Sequence, residues 1–351
     1  MPDPRLTPRH LNRALLARQM LLERSPRSLV EVVEAMGGIQ MQYAPAGYIG
    51  LWSRIHDFSR PMLTEALEQR RVVQGTLMRA TIHTVSAADY WPMMAGIRRV
   101  NREWHDRVAR SAIGDADLDA LVGAIRDELA EGPLRVAELS DRLTARGFPP
   151  RALQAAQTRI DLLRIPPSGT WERRRADLYG LAEQWLPPER EHTERDGMEL
   201  LIRRYLGAFG PAPLKDVANW MGMNVGQIRE VALGMDLRHL KDEAGKQLLD
   251  LPDAPLPDPA TPAPPRFIAV WDAMLLVHAR RTGVLPEEFR PLIFNTKTPH
   301  SVNTFLIDGQ VAGAWRFEEG GVSLSPFRPL KAADRQELER EAERLTVFHA
   351  D

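Results

Sequence analysis

The sequence contains no cysteine. That absence excludes a disulfide framework, a thiolate metal site and a cysteine nucleophile, and it fits a reducing compartment. Lysine is scarce, at 5 residues against 41 arginines, and none precedes Lys215. No stretch approaches the run of about 18 apolar residues that a membrane span requires. The opening MPDPRLTPRH lacks the apolar centre of a signal peptide, so the expectation is a cytoplasmic protein with no membrane partner. Also missing are an HExxH pair, a Walker loop, a GxGxxG turn opening a helix after a strand, and a GxSxG elbow. The nine histidines are scattered, with no ligand spacing among carboxylates, so no metal and no cofactor is expected.

What remains is an ordinary globular composition of 351 residues, 44% hydrophobic and 26% charged, enough for several packed units. The net charge of −1 speaks at first against a nucleic-acid partner. Its distribution does not. Residues 1–110 carry 16 Arg against 10 Asp and Glu, a net of +6, and the rest of the chain carries −7. Either the first part faces an anion, or it is a solvated surface that is basic by chance.

Residues 198–253 read as three helical stretches and a hairpin around Gly245, with Asn224 placed to cap the third helix. The same order recurs upstream, from LDALVGAIRDELAEGP to IPPSGTWERRRADLYGL. An elaborated first copy is expected before it, with helices at 6–23, 28–36, 46–58 and 61–70 and strands near 72–77 and 81–86. Helix, helix, helix and hairpin is the winged helix-turn-helix pattern. After the linker PDAPLPDPATPAPPR, with seven prolines, the pattern alternates as strands do, with turns at Asp308-Gly309 and Glu319-Gly320-Gly321 and a charged helix at 331–347. The expected fold is therefore α+β: tandem winged-helix units forming a concave scaffold, plus a small C-terminal antiparallel β-barrel or sheet. The expected divisions are 1–113, 114–190, 191–253 and 254–351.

One segment is chemically unusual: EAMGGIQMQYAPAGYIGLWSR, residues 34–54. Gly37 or Gly38 can close the preceding helix in the left-handed conformation, and Pro45 disfavours helix at Ala44. Residues 39–43 are then extended, so Gln40 and Gln42 project to one side and Met41 to the other. Two convergent carboxamides can hold one water, accepting its protons and donating to its oxygen. They can equally satisfy backbone groups in a turn. A second segment, IRRVNREWHDRVAR at 97–110, mixes five arginines with Glu103 and Asp106, as a salt-bridged surface helix or a phosphate-contacting one would. WERRR at 171–175 is a similar case.

The Gln-Met-Gln triplet after Gly-Gly, followed by YAPAGYIGLWSR, resembles the Gln–hydrophobic–Gln motif of the AlkZ-like DNA glycosylases, within the larger family that contains YcaQ. The likeness extends to GTLMRATIHTVSAADYWP at 75–92, WDAMLLVHARR and FLIDGQVAGAWR. The YcaQ-like branch has Asp at the second Gln, so Gln42 places the chain with the AlkZ-like branch. The resemblance implies tandem winged helices with a β-barrel. It also implies a monofunctional hydrolase of the N-glycosidic bond of alkylated purines, including crosslinked ones, with Gln40 and Gln42 as catalytic residues. Its partner would be double-stranded DNA with alkylated bases, and the protein a monomer. The scarcity of lysine agrees with the absence of Schiff-base chemistry. Expected DNA contacts are Tyr43, Arg54, Arg79, His83, His278, Arg280, Arg281, Lys297 and Arg316. Strand alternation would put Arg79, Thr81 and His83 on one face, lining a channel or simply exposed. Asp272 would orient a water or an arginine, or cap a turn. The alternative is a non-catalytic winged-helix DNA-binding or regulatory protein, although the third helices of copies two and three offer few base-reading residues. A protein-interaction scaffold is a third reading.

Overall fold

The computed structural model describes residues 5–113, 117–188, 190–276, 283–294 and 301–350, with backbone only over 104–113. The first part comprises α1 (Pro8–Arg18), α2 (Leu29–Ala35), β1 (Ile39–Gln40), α3 (Ala44–Trp52), α4 (Arg60–Glu68), β2 (Val72–Thr76), β3 (Ile82–Ser86) and the long α5 (Ala87–Ile113). It is followed by α6 (Leu118–Glu128), β4 (Leu134–Arg135), α7 (Val136–Ala145), α8 (Ala152–Ala156), β5 (Leu162–Arg164), β6 (Leu178–Leu181) and α9 (Ala182–Trp185). Next come α10 (Glu194–Phe209), α11 (Leu214–Met221), α12 (Val225–Leu233) and the hairpin β7 (Arg238–Lys241) and β8 (Gln247–Asp250). The chain ends with β9 (Arg266–Ile268), α13 (Arg290–Ile293), β10 (Thr304–Ile307), β11 (Gln310–Glu318), β12 (Gly321–Pro326) and α14 (Ala332–Ala350).

Local chemistry sets many of these boundaries. Ser28 and Glu31 exchange backbone and side-chain bonds to open α2, Thr193 and Asp196 do so for α10, and Asn224 and Gln227 for α12. α1 is shorter than its apolar pattern predicts. Pro8 supplies its first turn, and Leu6 instead donates its N–H to the carbonyl of Lys241, bridging to β7 and β8. α3 starts two residues earlier than expected: Pro45 occupies the first turn, where its missing N–H costs nothing, and Ala44 is helical. The extended residue is Tyr43, at φ −122° and ψ 118°.

The hairpins of the first two parts join into one six-stranded sheet, ordered β1-β3-β2-β5-β6-β4. Its junction is the antiparallel pairing of Gln74 with Arg164 and Gly75 with Leu163. The β7 and β8 hairpin stands apart. The C-terminal strands form a four-stranded antiparallel sheet, ordered β12-β11-β10-β9. Among the described residues this sheet is open, so it is the sheet and not the closed barrel that forms. Asp308-Gly309 and Glu319-Gly320 turn its hairpins, all four residues with positive φ.

Beside a smaller core within α6, α7, α8, β5 and β6, two larger cores organise the described residues. One gathers β2, β3, α5, α10, α11 and α12. Within it α5 and α10 cross at Gly96 and Gly197, where a Cβ on Gly197 would come within 2.3 Å of the Gly96 nitrogen. The other packs α2, α3 and α4 against the C-terminal sheet and α14. Met41 of the Gln-Met-Gln segment belongs to the second core. No helix of the described residues is long and apolar enough to cross a membrane.

Candidate active site

The motif is held from both ends and from behind. Gly37 and Gly38 close α2 with φ of +70° and +85°. A Cβ on Gly38 would lie 2.8 Å from Val85 and 3.2 Å from the Thr84 carbonyl, so the chain enters tight against β3. There Ile39 pairs with Thr84 and Gln40 with His83, and the Met41 N–H donates to the Ile82 carbonyl at 2.9 Å. Met41 is 1% exposed, and its sulfur accepts from the Thr84 hydroxyl at 3.0 Å. Arg164, on β5, donates through Nη1 to the Met41 carbonyl at 3.2 Å and through Nε to the Tyr179 hydroxyl at 3.2 Å.

Gly47 makes room for Met41. A Cβ there would stand 2.6 Å from Sδ, 3.0 Å from Cε and 3.1 Å from Cγ. Gly47→Ala gains at most about 1 kcal/mol of helix propensity and costs about 1–3 kcal/mol of overpacking. The expected result is a lower melting temperature, read by calorimetry together with wild type. An unchanged or higher melting temperature would show that Met41 moves aside freely.

On the outer side the two carboxamides converge. Gln40 Nε2 donates to Gln42 Oε1 at 3.3 Å, with Gln40 half-buried and Gln42 exposed. Gln40 Oε1 in turn accepts from Arg79 Nη2 at 3.0 Å, and Arg79 Nη1 donates to the Trp220 carbonyl at 2.6 Å, at the end of α11. Burial lowers the Arg79 pKa to about 10, partly offset by Tyr205, so the guanidinium is charged at neutral pH. His83, behind the motif, is brought down to about 3 by burial first and by the Arg79 charge second, against a bond to the Thr81 carbonyl. Its imidazole is neutral at pH 7, with Nδ1–H directed at that carbonyl at 3.0 Å.

Of the residues expected to touch DNA, Tyr43 is 44% exposed and directly follows the pair. Arg316 is exposed on β11, facing Ser323 across the ladder. Arg79 sits in a 3-10 turn between β2 and β3, not on a strand, so alternation does not govern its direction. His83 is buried, which removes it from any channel lining. Arg54 is also fully buried: it pairs with Asp272 at 2.9 Å and donates to Gln19 and the Gly50 carbonyl. Asp272 therefore both holds this arginine and caps a short turn through the Met274 N–H. His278, Arg280, Arg281 and Lys297 lie outside the described residues.

The arginines of α5 behave as a salt-bridged face in part. Arg99 pairs with Glu103 at 3.1 Å and Glu194 at 2.7 Å, which raises its pKa, and Arg98 pairs with Asp161 at 3.1 Å. With Arg102, Arg159 and His192 they line an open concavity of about 350 Å³. In WERRR, Trp171 is buried against Tyr48, and Arg60 and Arg174 lie over its ring. Arg164 and Trp220 carried no sequence signal toward the motif, because each is brought to it through tertiary packing. Among the described residues no group of three or more His, Asp or Glu side chains is placed to hold a metal ion.

Such a pair of carboxamides, open to solvent and backed by a guanidinium, can hold a water but cannot exchange protons strongly with a leaving group. The family described as DNA glycosylase AlkZ-like matches residues 33–348. No curated protein matches the sequence. Among solved structures, the Streptomyces sahachiroi DNA glycosylase AlkZ shares the fold, with a TM-score of 0.81 and 19% identity over 98% of each chain.

Proposed function

The chain belongs to the AlkZ-like family of DNA glycosylases, and from that premise we propose that it hydrolyses the N-glycosidic bond of N7-alkylated purines in double-stranded DNA, through a water positioned by Gln40 and Gln42. The observation that carries this reading is the outward convergence of the two carboxamides at 3.3 Å. An N7-alkylpurine is a cation, so the C1′–N9 bond breaks with its electron pair returning to the ring and neutralising it. No strong acid is needed, and the histidine behind the motif, His83, is neutral. The water's oxygen bonds to C1′ and its proton passes to solvent. The carboxamides hold the water in line, and Gln42 Oε1, with a lone pair beyond the one that Gln40 uses, faces the developing oxocarbenium sugar. The product is an abasic site and a free alkylpurine, without a covalent enzyme adduct.

Gln42 and Tyr43 are open to solvent, which favours lesions too bulky for a closed pocket, and on this reading interstrand crosslinks are substrates as well. The scaffold is read as three winged-helix units at 1–113, 114–190 and 191–253, followed by the C-terminal sheet at 254–351, acting as a monomer on the duplex.

Duplex containing N7-methylguanine, incubated with the protein and then heated in alkali, is expected to break at the lesion, with free N7-methylguanine recovered by chromatography. The single-turnover rate is expected to be level from pH 5 to 7, because His83 stays neutral and Arg79 stays charged across that window. Strand breakage no faster than in buffer would overturn the proposal, and DNA binding without base release would return the chain to a non-catalytic role.

A further inference from the structure

We infer that Arg79 is a positioning residue that sets the polarity of the Gln40–Gln42 pair, and not a phosphate contact; this rests on the catalytic reading above. A guanidinium has donors and no acceptor, so the Gln40 atom that faces it at 3.0 Å is the carbonyl oxygen. With Oε1 turned to Arg79, Nε2 is turned to Gln42 and meets its Oε1. The donor direction therefore runs one way, from Arg79 through Gln40 to Gln42. A Gln40 rotated by half a turn would face Gln42 with its oxygen, and Gln42 would have to answer with its amide hydrogens in place of Oε1, the oxygen whose second lone pair is open to the water. The attacking water must donate to an oxygen to keep its own lone pair on C1′, so this polarity decides whether the pair is competent.

The fold commits Arg79 to this task. Arg79 and Ala80 both take left-handed backbone, at φ 55° and 53°, a conformation that residues with a Cβ rarely adopt. The turn is fastened by Asn101 donating to the Leu77 carbonyl at 3.0 Å and by the Thr81 hydroxyl donating to the Met78 carbonyl at 3.0 Å. The other arm of the guanidinium is held by the Trp220 carbonyl at 2.6 Å, at the negative end of α11. Gly222, the left-handed residue that ends α11, packs beside Arg79: a Cβ there would lie 3.5–3.6 Å from its backbone and Cγ, at van der Waals contact. One arm is spent on another helix and one on Gln40, and the side chain is largely buried. A residue meant for phosphate would point its fork outward.

The test separates positioning from charge. Single-turnover release of N7-methylguanine at saturating enzyme is measured for wild type, Arg79→Lys and Arg79→Ala, alongside DNA affinity from 50 to 200 mM salt. Arg79→Lys keeps the charge but loses the fork that spans Gln40 and Trp220. It is expected to lower the rate constant about tenfold or more, with affinity and salt slope unchanged. Millimolar guanidinium is expected to restore part of the Arg79→Ala rate, whereas equal sodium chloride is not. A salt slope reduced by about 0.9 in Arg79→Ala, with the saturated rate intact, would overturn the inference in favour of a phosphate contact. A readout independent of catalysis is the side-chain amide of Gln40 in glutamine-labelled protein, assigned by its loss in Gln40→Ala. Its solvent exchange is expected to accelerate in Arg79→Lys, and unchanged exchange would overturn the inference. If wild type releases no base, the proposed function fails while the amide measurement still decides the role of Arg79.

Discussion

Replacing Gln42 with alanine is expected to lower the single-turnover rate of N7-methylguanine release by about 10²-fold, the effect of losing the group that places a reactant. That corresponds to about 2.7 kcal/mol of transition-state stabilisation. The side chain is exposed and accepts a bond from Gln40, so the variant should fold and bind DNA as wild type does. Gln42→Glu sharpens the test. A carboxylate keeps the acceptor for Gln40 Nε2 and for the water, and adds negative charge facing the oxocarbenium. It is therefore expected to remain within about tenfold of wild type, by the logic of electrostatic stabilisation. The measurement is the rate constant at saturating enzyme, with binding measured separately on undamaged duplex. If Gln42→Ala loses affinity in proportion to rate, Gln42 is a binding contact and the water assignment is wrong.

The geometry of the pair was legible in the sequence because it is local. A double glycine closes α2 just ahead of the triplet, and Met41 turns inward with the glutamines together, although the strand ends at Gln40 and Pro45 opens α3 instead of extending Ala44. The hairpin turns at Asp308-Gly309 and Glu319-Gly320 and the cap at Asn224 are local in the same sense. What could not be read is what covers each face. Arg54 follows the motif like a surface arginine, yet its partner Asp272 is 218 residues away and buries it. Alternation grouped His83 with its neighbours, but β1 pairs on one side of β3 and β2 on the other, and the imidazole is enclosed. Arg79 escaped strand logic because its backbone turns left-handed. Arg164 reaches the Met41 carbonyl only because β5 joins β2 in one sheet.

The largest expected stability effect lies in a buried ion pair that ties the first helix to the third hairpin. Arg18 and Asp250 have side chains 1% and 0% exposed, and they meet twice, Nη1 with Oδ1 at 2.6 Å and Nη2 with Oδ2 at 2.9 Å. Arg18 also donates to the carbonyls of Leu206 on α10 and Pro255 in the proline-rich linker. Asp250 also accepts from the Leu251 N–H at 3.0 Å. Gly210 leaves the space they occupy: a Cβ there would stand 2.5 Å from Arg18 Nη1 and 2.8 Å from Asp250 Oδ1. Desolvating two charges offsets most of their attraction, so the intact pair adds little over an apolar substitute. Removing one partner is different, because the other is left charged, buried and uncompensated. Asp250→Ala is therefore expected to cost about 3–5 kcal/mol, measured as a lower urea midpoint. The double variant Arg18→Met with Asp250→Leu is expected to recover most of that loss. If Asp250→Ala costs less than about 1 kcal/mol, the guanidinium has found water, and the junction of α1, α10, β8 and the linker is looser than its contacts indicate.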